Sequence, residues 1–275
     1  MSISAPRYAS GPITHLGRTS RSLAIVRREL VRRAVWPTLL FVALTYLVVV
    51  LDLAATVFFA SLTGTLNAGA FESPIESGAW PFLILLVATA AGAGSVADDL
   101  ASRAITLYLS RPIHVTDYVV AKAAACGSWL VIATIGPGLL GIAIVAVLGY
   151  TPASIALVAI GGYLATGLVA TVFFTGLALS LSSLAGRALY AGVAIFGLVF
   201  ALFIGVSVVA AVSGNTAILY ASPFTDLHSV ALAAFQVGGN TPTDPLASAA
   251  LLVGVGVVLT ALAAWRLTRV EVVGE

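Results

Sequence analysis

The stretch from Val35 to Leu62 reads VWPTLLFVALTYLVVVLDLAATVFFASL and contains one charged residue, Asp52. A helix needs roughly 20 apolar residues to cross the hydrocarbon core of a membrane, which is about 30 Å thick. This stretch is long enough to do so. Its apolar length is also about twice that of the apolar region of a signal peptide, so we expect it to be a retained transmembrane helix.

Five more apolar segments follow along the chain. Of the 275 residues, 60% are hydrophobic and 9% are charged, and the mean hydropathy is +1.09. A soluble domain usually has about 25% charged residues because its surface must face water. Continuous apolar runs also differ from the alternating strands of a membrane β-barrel. We therefore predict an all-α membrane domain over 35–275, with six spans at 35–62, 80–97, 118–148, 153–181, 189–212 and 246–267.

The basic residues predict the orientation of these spans. The chain has 13 Lys and Arg residues, and all of them lie in segments that share one side of the membrane. The segments on the opposite side, 63–79, 149–152 and 213–245, contain no Lys or Arg. Cytoplasmic loops of membrane proteins carry an excess of basic residues. We therefore predict that both termini lie in the cytoplasm and that the protein is a multi-pass protein of the cell membrane.

The segment before the first span is predicted to contain an amphipathic helix. Residues 1–19 are rich in Ser, Gly and Pro and are expected to be disordered, whereas residues 20–34 read SRSLAIVRRELVRRA. Their apolar residues recur at helical spacing, which predicts a helix along the headgroups with Arg28, Arg32 and Arg33 towards anionic phosphates. Alternatively, these arginines only set the orientation.

The loop between the second and third spans has dense local signals. It reads DDLASRAITLYLSRPIHVTDYVVAK from Asp98 to Lys122. Asp98 and Asp99 can cap a short helix, and Asp99 can pair with Arg103 one turn later. Pro112 ends that helix, and a threonine, Thr116, is predicted to cap the third span. These signals predict a rigid cytoplasmic projection over 98–117.

Two further segments interrupt the regular pattern of spans. Gly136-Pro137-Gly138 lies inside the third span and predicts a kink. The segment 213–245 contains an apolar run, Ser229 to Val237, that is too short to cross a membrane. We expect this run to be re-entrant or interfacial.

The loop from Asp98 to Lys122 resembles the signature of ABC-2 type ABC transporter permeases. The resemblance lies in the run ITLYLSRPI followed by DYVVAK, and in the acidic residues before it. The chain has Ser102-Arg103-Ala104 where this family commonly has Gly-Thr, and His114 where Ser or Arg is usual. The matching residues are Asp98 or Asp99, Leu107, Leu109, Ser110, Arg111, Pro112, Tyr118 and Lys122.

The resemblance implies the membrane-spanning subunit of an ATP-driven exporter. In such a transporter two permease chains pair, and each binds a separate ATPase subunit that carries ATP and Mg. The loop would be a coupling helix that fits a groove on the ATPase, beside the N-terminal helix. The interface residues that the resemblance implies are Asp98, Asp99, Arg103, Leu107, Leu109, Ser110, Arg111 and Pro112.

Residue chemistry gives the chain no nucleotide site of its own. A phosphate loop needs G-x-x-x-x-G-K-[ST], and Lys122, which follows Ala121, is the only lysine. With a single cysteine, Cys126, and no metal-ligand spacing, we expect no cofactor, no metal and no catalytic residue on this chain. A metal-dependent enzyme built on Asp98 and Asp99 is disfavoured, because neighbouring arginines and helix caps account for these acids.

Two other classes of function stay open. Asp52 lies deep within the first span, where an ionisable residue is a functional candidate by default. An ion-coupled transporter or channel would use it. The chain could also be a membrane anchor that recruits a partner and moves nothing. No feature of the sequence indicates nucleic acid as a partner, and none identifies the transported substrate.

Overall fold

The computed structural model describes residues 18–103, 114–238 and 240–273, which form helices and no β-strand. Within these residues, six helical segments are long and apolar enough to cross a membrane. They confirm the six predicted spans, with bounds that differ by a few residues. The segments are Trp36–Thr63, Ala79–Ala101, Val115–Val147, Ala153–Leu184, Ala188–Ser213 and Pro245–Arg269.

The described helices fall into two halves of the chain. The first half of the chain contains α1 (Arg18–Arg33), α2 (Trp36–Thr63), α3 (Ser73–Glu76), α4 (Ala79–Gly92), α5 (Gly94–Ala101) and α6 (Val115–Thr134). The second half contains α7 (Gly136–Val147), α8 (Ala153–Leu184), α9 (Ala188–Ser213), α10 (Pro223–Ala234) and α11 (Pro245–Val273). Short 3₁₀ helices, η1 (Ala68–Phe71) and η2 (Thr216–Ala221), follow α2 and α9.

Glycine ends two of the spans. Gly64 and Gly214 each adopt a φ of 67° and follow directly after α2 and α9. Their backbone N–H groups donate to Ala60 and Ala210, which satisfies carbonyls of the last helical turn. A residue with a side chain is strained at positive φ, so glycine suits this position after a helix.

Two spans are broken, and one of the breaks was predicted. The kink at Gly136-Pro137-Gly138 is confirmed, since α6 ends at Thr134 and α7 begins at Gly136. The second break lies at Ala93, between α4 and α5, where the sequence has no proline. There Ser182 of α8 donates to the carbonyl of Ala93 at 2.7 Å. The same hydroxyl accepts from the backbone N–H groups of Val96 (2.9 Å) and Ala97 (3.0 Å).

Helix α8 lies at the centre of the bundle and contacts α4, α5, α6, α7, α9, α10 and α11. Its crossing with α11 is close because Gly176 of α8 lies against the backbone carbonyl of Gly256. Buried aromatic and aliphatic side chains, including Trp80, Phe174 and Ile195, fill the space around it. The indole N–H of Trp80 donates to the carbonyl of Thr134 at 3.2 Å, next to the break between α6 and α7.

The apolar run Ser229 to Val237 starts within α10, a helix of 12 residues that is too short to cross a membrane. Helix α10 packs against α8 and α11. A buried polar contact fixes the chain that follows it, because the hydroxyl of Thr243 lies 2.8 Å from those of Ser229 and Ser248. The carboxylate of Asp226 accepts from Ser248 at 2.7 Å.

The structure differs from several local predictions about helix caps and helix starts. Thr116 does not cap the third span, because α6 begins at Val115 after the N-cap residue His114, which makes no side-chain cap. Asp98 and Asp99 lie in the second half of α5 and cap no helix there. Predicted disorder over residues 1–17 lies outside the described residues. The following residues Arg18 and Thr19 begin α1.

Candidate functional site

Six charged side chains meet where α1, α5 and α6 come together, and we call them the charge cluster. Helix α1 provides one acidic and two basic residues, α5 provides two acidic residues, and α6 provides one basic residue. The members are Glu29, Arg32, Arg33, Asp98, Asp99 and Lys122.

Lys122 lies at the centre of the charge cluster and has no solvent-exposed surface. Its Nζ lies 2.9 Å from Oε2 of Glu29 on α1 and 2.7 Å from Oδ2 of Asp99 on α5. A buried ammonium is costly unless nearby anions compensate for its lost hydration. The two carboxylates, each from a different helix, provide this compensation.

Asp99 has three partners at hydrogen-bonding distance. Besides Lys122, Nη1 of Arg32 lies 2.8 Å from Oδ1, and the hydroxyl of Tyr118 donates to Oδ2 at 2.8 Å. Asp99 is 1% exposed. Both oxygens are therefore used in protein contacts, as a buried carboxylate requires.

Arg33 closes the other side of the charge cluster. Its Nε donates to Oε1 of Glu29 one turn earlier at 3.0 Å, and its Nη1 lies 3.3 Å from Oδ2 of Asp98. The absence of a side chain at Gly94 leaves room for this contact, since an added Cβ there would overlap both Arg33 and Asp98. The small residue at the start of α5 is therefore part of how the site is built.

The charge cluster is electrically balanced. It contains three carboxylates and three cations in mutual contact. Burial alone would lower the pKa of Arg32, but the hydrogen bond and charge of Asp99, together with Glu29 and Asp98, raise that pKa above its ordinary value. Its guanidinium therefore stays charged across the physiological range. Each of the helices α1, α5 and α6 forms at least one ion pair with each of the other two.

The charge cluster lies at both ends of the predicted coupling loop. Asp98 and Asp99 are the first two residues of the loop and lie on α5, and Lys122 follows the loop on α6. The structure thus brings together four of the predicted site residues, Arg32, Arg33, Asp98 and Asp99. The other predicted residues of the loop lie outside the described residues: Leu107, Leu109, Ser110, Arg111 and Pro112.

Other predicted residues have different positions. Arg28 is exposed on α1, whereas Arg33 is only 8% exposed and points into the protein. Arg103 follows the end of α5. Asp99, for which we predicted Arg103 as a partner, is held by Arg32, Lys122 and Tyr118, which are distant in sequence or on another helix.

Glu29, Tyr118 and Lys122 complete this site without belonging to the predicted interface, although Tyr118 and Lys122 are part of the motif that carries the resemblance. A signal for Lys122 was present, because it is the only lysine and lies four residues into an otherwise apolar span. A charged residue in such a position needs a partner of opposite charge. Glu29 lies in the amphipathic segment 20–34, and its partners are identifiable only from the packing of α1 against α6.

Asp52 lies away from the charge cluster, in the second half of α2. It is half-buried and accepts a hydrogen bond from the hydroxyl of Ser73 at 3.1 Å. Ser73 in turn accepts from Thr56 at 3.2 Å. This contact joins α2 to α3 and gives Asp52 a polar partner on the side of the bundle away from α1.

Comparison with known proteins gives one family match. The model of a family described as ABC-2 family transporter protein matches residues 23–272. The match includes every member of the charge cluster and runs from α1 into α11. No curated protein sequence matches the chain.

Proposed function

The chain belongs to the ABC-2 family of transporter proteins, and from this we propose that it is the permease subunit of an ATP-driven exporter. As a member of this family it is a multi-pass membrane transport subunit. The further proposal is that it forms the translocation path and is driven by a separate ABC ATPase that carries ATP and Mg. ATPase motion would reach the spans through the loop between α5 and α6.

The observation that carries the proposal is the position of the charge cluster. Asp99 at the end of α5 and Lys122 near the start of α6 are 2.7 Å apart through their charged atoms, so both ends of the loop are held together. Glu29 joins α1 to the same point. A force on the loop would therefore move α1, α5 and α6 as one unit instead of bending a flexible connection.

The break at Ala93 gives such a movement a place to act. A single residue, Ala93, separates α5 from α4, and the hydroxyl of Ser182 on α8 bonds the carbonyl of Ala93 and the backbone N–H groups of α5 that follow it. A displaced α5 would therefore pull on the central helix as well as on α4. This arrangement supports transmission of movement from the loop to the middle of the bundle.

We also propose that two permease chains pair through α9. This span is the least buried of the six, and Gly197, Ala201 and Gly205 lie on its exposed face at intervals of four residues. Small residues at this spacing let helices approach closely within a membrane. A second chain with the same face is a suitable neighbour for it.

A complex with the ATPase tests the proposal. The chain would be co-expressed with an ABC ATPase from the same source, purified through a tag on one subunit, and assayed for ATP hydrolysis in lipid nanodiscs. We expect Leu107→Asp and Arg111→Glu to abolish co-purification. Arg187→Glu provides the matched control, because Arg187 is exposed and belongs to the same predicted cytoplasmic side. This control should retain the complex.

Two outcomes would count against the proposal. A wild-type chain that binds no ABC ATPase would contradict the function itself. A complex that survives both loop variants would show that the loop is not the contact surface. A variant of the charge cluster, Asp99→Asn, should keep the ATPase bound but lose transport-dependent stimulation of hydrolysis, which separates binding from transmission.

A further inference from the structure

A cavity of about 470 Å³ lies at the end of the bundle away from the charge cluster. Helices α3, α4, α9 and α10 form its walls. This volume lies in the range of small-molecule sites in proteins, roughly 300–1,000 Å³. None of the described residues that line it belongs to the charge cluster or to the predicted coupling loop.

Phenylalanine side chains from three helices line the cavity. Phe82 comes from α4, Phe200 and Phe203 from α9, and Phe224 from α10. The rings of Phe203 and Phe224 are 5.3 Å apart with an interplanar angle of 53°. The faces of phenylalanine rings are electron-rich and attract a cation that lies within about 6 Å of the ring centre.

The charge at the cavity has one sign. Among the described lining residues Glu76, which is exposed, is the one acidic residue, and no Lys or Arg is present; His228 also lines the cavity. Behind His228 lies Glu72, which is 3% exposed. Its Oε1 is 3.6 Å from Nδ1 of His228 and accepts no hydrogen bond from the described residues.

The surroundings of the cavity reinforce this sign. The segments 63–79 and 213–245, which contribute α3 and α10, include no Lys or Arg, but they contain Glu72, Glu76, Asp226 and Asp244. An anion entering the cavity would meet carboxylates and no fixed positive charge from these segments. A cation would meet attraction from Glu76 and from the aromatic rings.

We propose that this cavity binds organic cations with an apolar body, such as quaternary ammonium or phosphonium compounds. The rings of Phe82, Phe203 and Phe224 would contact the apolar groups around the positive centre. Glu76 would balance its charge at the rim. That such a cation is also the transported cargo rests on the proposed permease function, whereas its binding does not.

Two other classes of ligand fit the cavity less well than an organic cation does. A lipid acyl chain would use the phenylalanines but would leave the charge of Glu76 without a role. An apolar anion would match the rings in size but would be repelled by Glu76. Both occupants become outcomes of the test, because ligands of equal shape and different charge can be compared.

The test uses tetraphenylphosphonium, with tetraphenylborate as a probe of nearly the same shape and opposite charge. The full chain would be placed in nanodiscs of neutral lipid, and binding measured by equilibrium dialysis after subtraction of binding to empty nanodiscs. We expect saturable binding of one phosphonium per chain and none of the borate. Glu76→Gln removes one charge, and Phe203→Ala removes one ring contact. Each variant should bind tetraphenylphosphonium about 5- to 20-fold more weakly than the wild type.

Asp244→Asn is the matched control for Glu76→Gln. Asp244 is an exposed carboxylate on the same side of the bundle and does not line the cavity. It caps the start of α11 by accepting from the N–H of Ala247, and asparagine can keep that role. Binding to this variant should equal binding to the wild type. Both residues chosen for the cavity variants are partly or fully exposed, so these variants should fold.

Several results would overturn the proposal. Equal binding of phosphonium and borate would identify an apolar groove without charge selection, as a lipid site would be. Saturable phosphonium binding that Glu76→Gln and Phe203→Ala leave unchanged would place the site elsewhere. No saturable binding would exclude the site. Since the assay contains no ATPase, each of these results is independent of whether the chain forms an ATPase complex.

Discussion

Lys122 holds carboxylates from two other helices, so its single charge decides whether the charge cluster is balanced. Replacing it in Lys122→Met leaves Glu29 and Asp99 with one cation fewer in a buried site. Breaking a buried ion pair by removing one partner costs roughly 3–5 kcal/mol. We expect the variant to unfold at a clearly lower temperature in nanodiscs than the wild type.

A double variant separates charge balance from packing. Lys122→Met combined with Glu29→Gln removes one charge of each sign and should recover part of the lost stability. Arg187→Met, at an exposed position, should change the unfolding temperature little, because exposed charges contribute about 0–1 kcal/mol. Wild-type stability in the single variant would show that Lys122 is dispensable for the fold.

Glu72 should make stability depend on pH. Burial, and secondly the charge of Glu76, raises the pKa of Glu72 from 4.5 to about 8. Between these values the folded protein keeps a proton that the unfolded chain releases. The free energy of unfolding should therefore fall as pH rises from 5 to 8, by up to about 1.4 kcal/mol per pH unit, and level off above pH 8.

Unfolding temperatures measured from pH 5 to 9 check this expectation. Glu72→Gln has no proton to release and should flatten the pH dependence. Glu76→Gln, at an exposed neighbouring position, should keep most of it because burial is the larger cause of the shift. An unchanged slope in Glu72→Gln would assign the pH dependence to another group.

At the scale of helices, the contact of α8 with α11 depends on glycine. An added Cβ at Gly256 would overlap the backbone carbonyl of Val172, whereas one at Gly254, two residues earlier, would meet open space. Gly256→Ala should therefore push the helices apart and cost about 1–3 kcal/mol, as overpacking does. Gly254→Ala should be neutral or slightly stabilising, because alanine favours helices. Thermal unfolding of the two variants gives the comparison, and equal loss in both would contradict a specific contact.

The same elements show what sequence could and could not predict. Spans and the break at Gly136-Pro137 are local properties of hydropathy and backbone chemistry, so they were predictable. The break at Ala93 has glycines on both sides, Gly92 and Gly94, but the hydroxyl that holds it belongs to Ser182, 89 residues away. Sequence also does not show which of the 26 glycines pack closely, since a Cβ at Gly162 would overlap the ring of Phe235, whereas one at the adjacent Gly161 would meet open space.

The candidate site was also predictable only in part from the sequence. A resemblance over one loop selected Asp98 and Asp99, because both lie beside the quoted motif. The resemblance does not identify the partners of Asp98 and Asp99. For example, Arg32 and Asp99 are 67 residues apart and meet only when α1 packs against α6. Interactions between distant segments depend on the register of packed helices, which hydropathy does not determine.

At the scale of the whole molecule, the two ends of the bundle differ in charge and in structure. One end contains the charge cluster and the predicted coupling loop. The other contains η1, α3 and α10, with the phenylalanine-lined cavity between α3, α4, α9 and α10. Helix α8, with 32 residues, runs between them over roughly 48 Å at 1.5 Å per residue. It contacts elements at both ends, α5 and α10, and thus connects the two ends together with α4 and α9, which line the cavity and also contact α5.

The orientation of these ends gives the last prediction. All 13 basic residues lie in segments assigned to one side, so this end should face the cytoplasm. In a Cys126→Ser background, Thr65→Cys and Asn240→Cys should react with an impermeant thiol reagent in intact cells, because both positions are exposed. Ser102→Cys and Gly186→Cys, also exposed but at the basic end, should react only after the membrane is opened. Glu72 is unsuitable for this purpose, since it is buried. Labelling of Ser102→Cys and Gly186→Cys alone in intact cells would reverse the orientation. The cavity would then face the cytoplasm, and the charge cluster would lie on the side where no ATP-driven subunit can reach it.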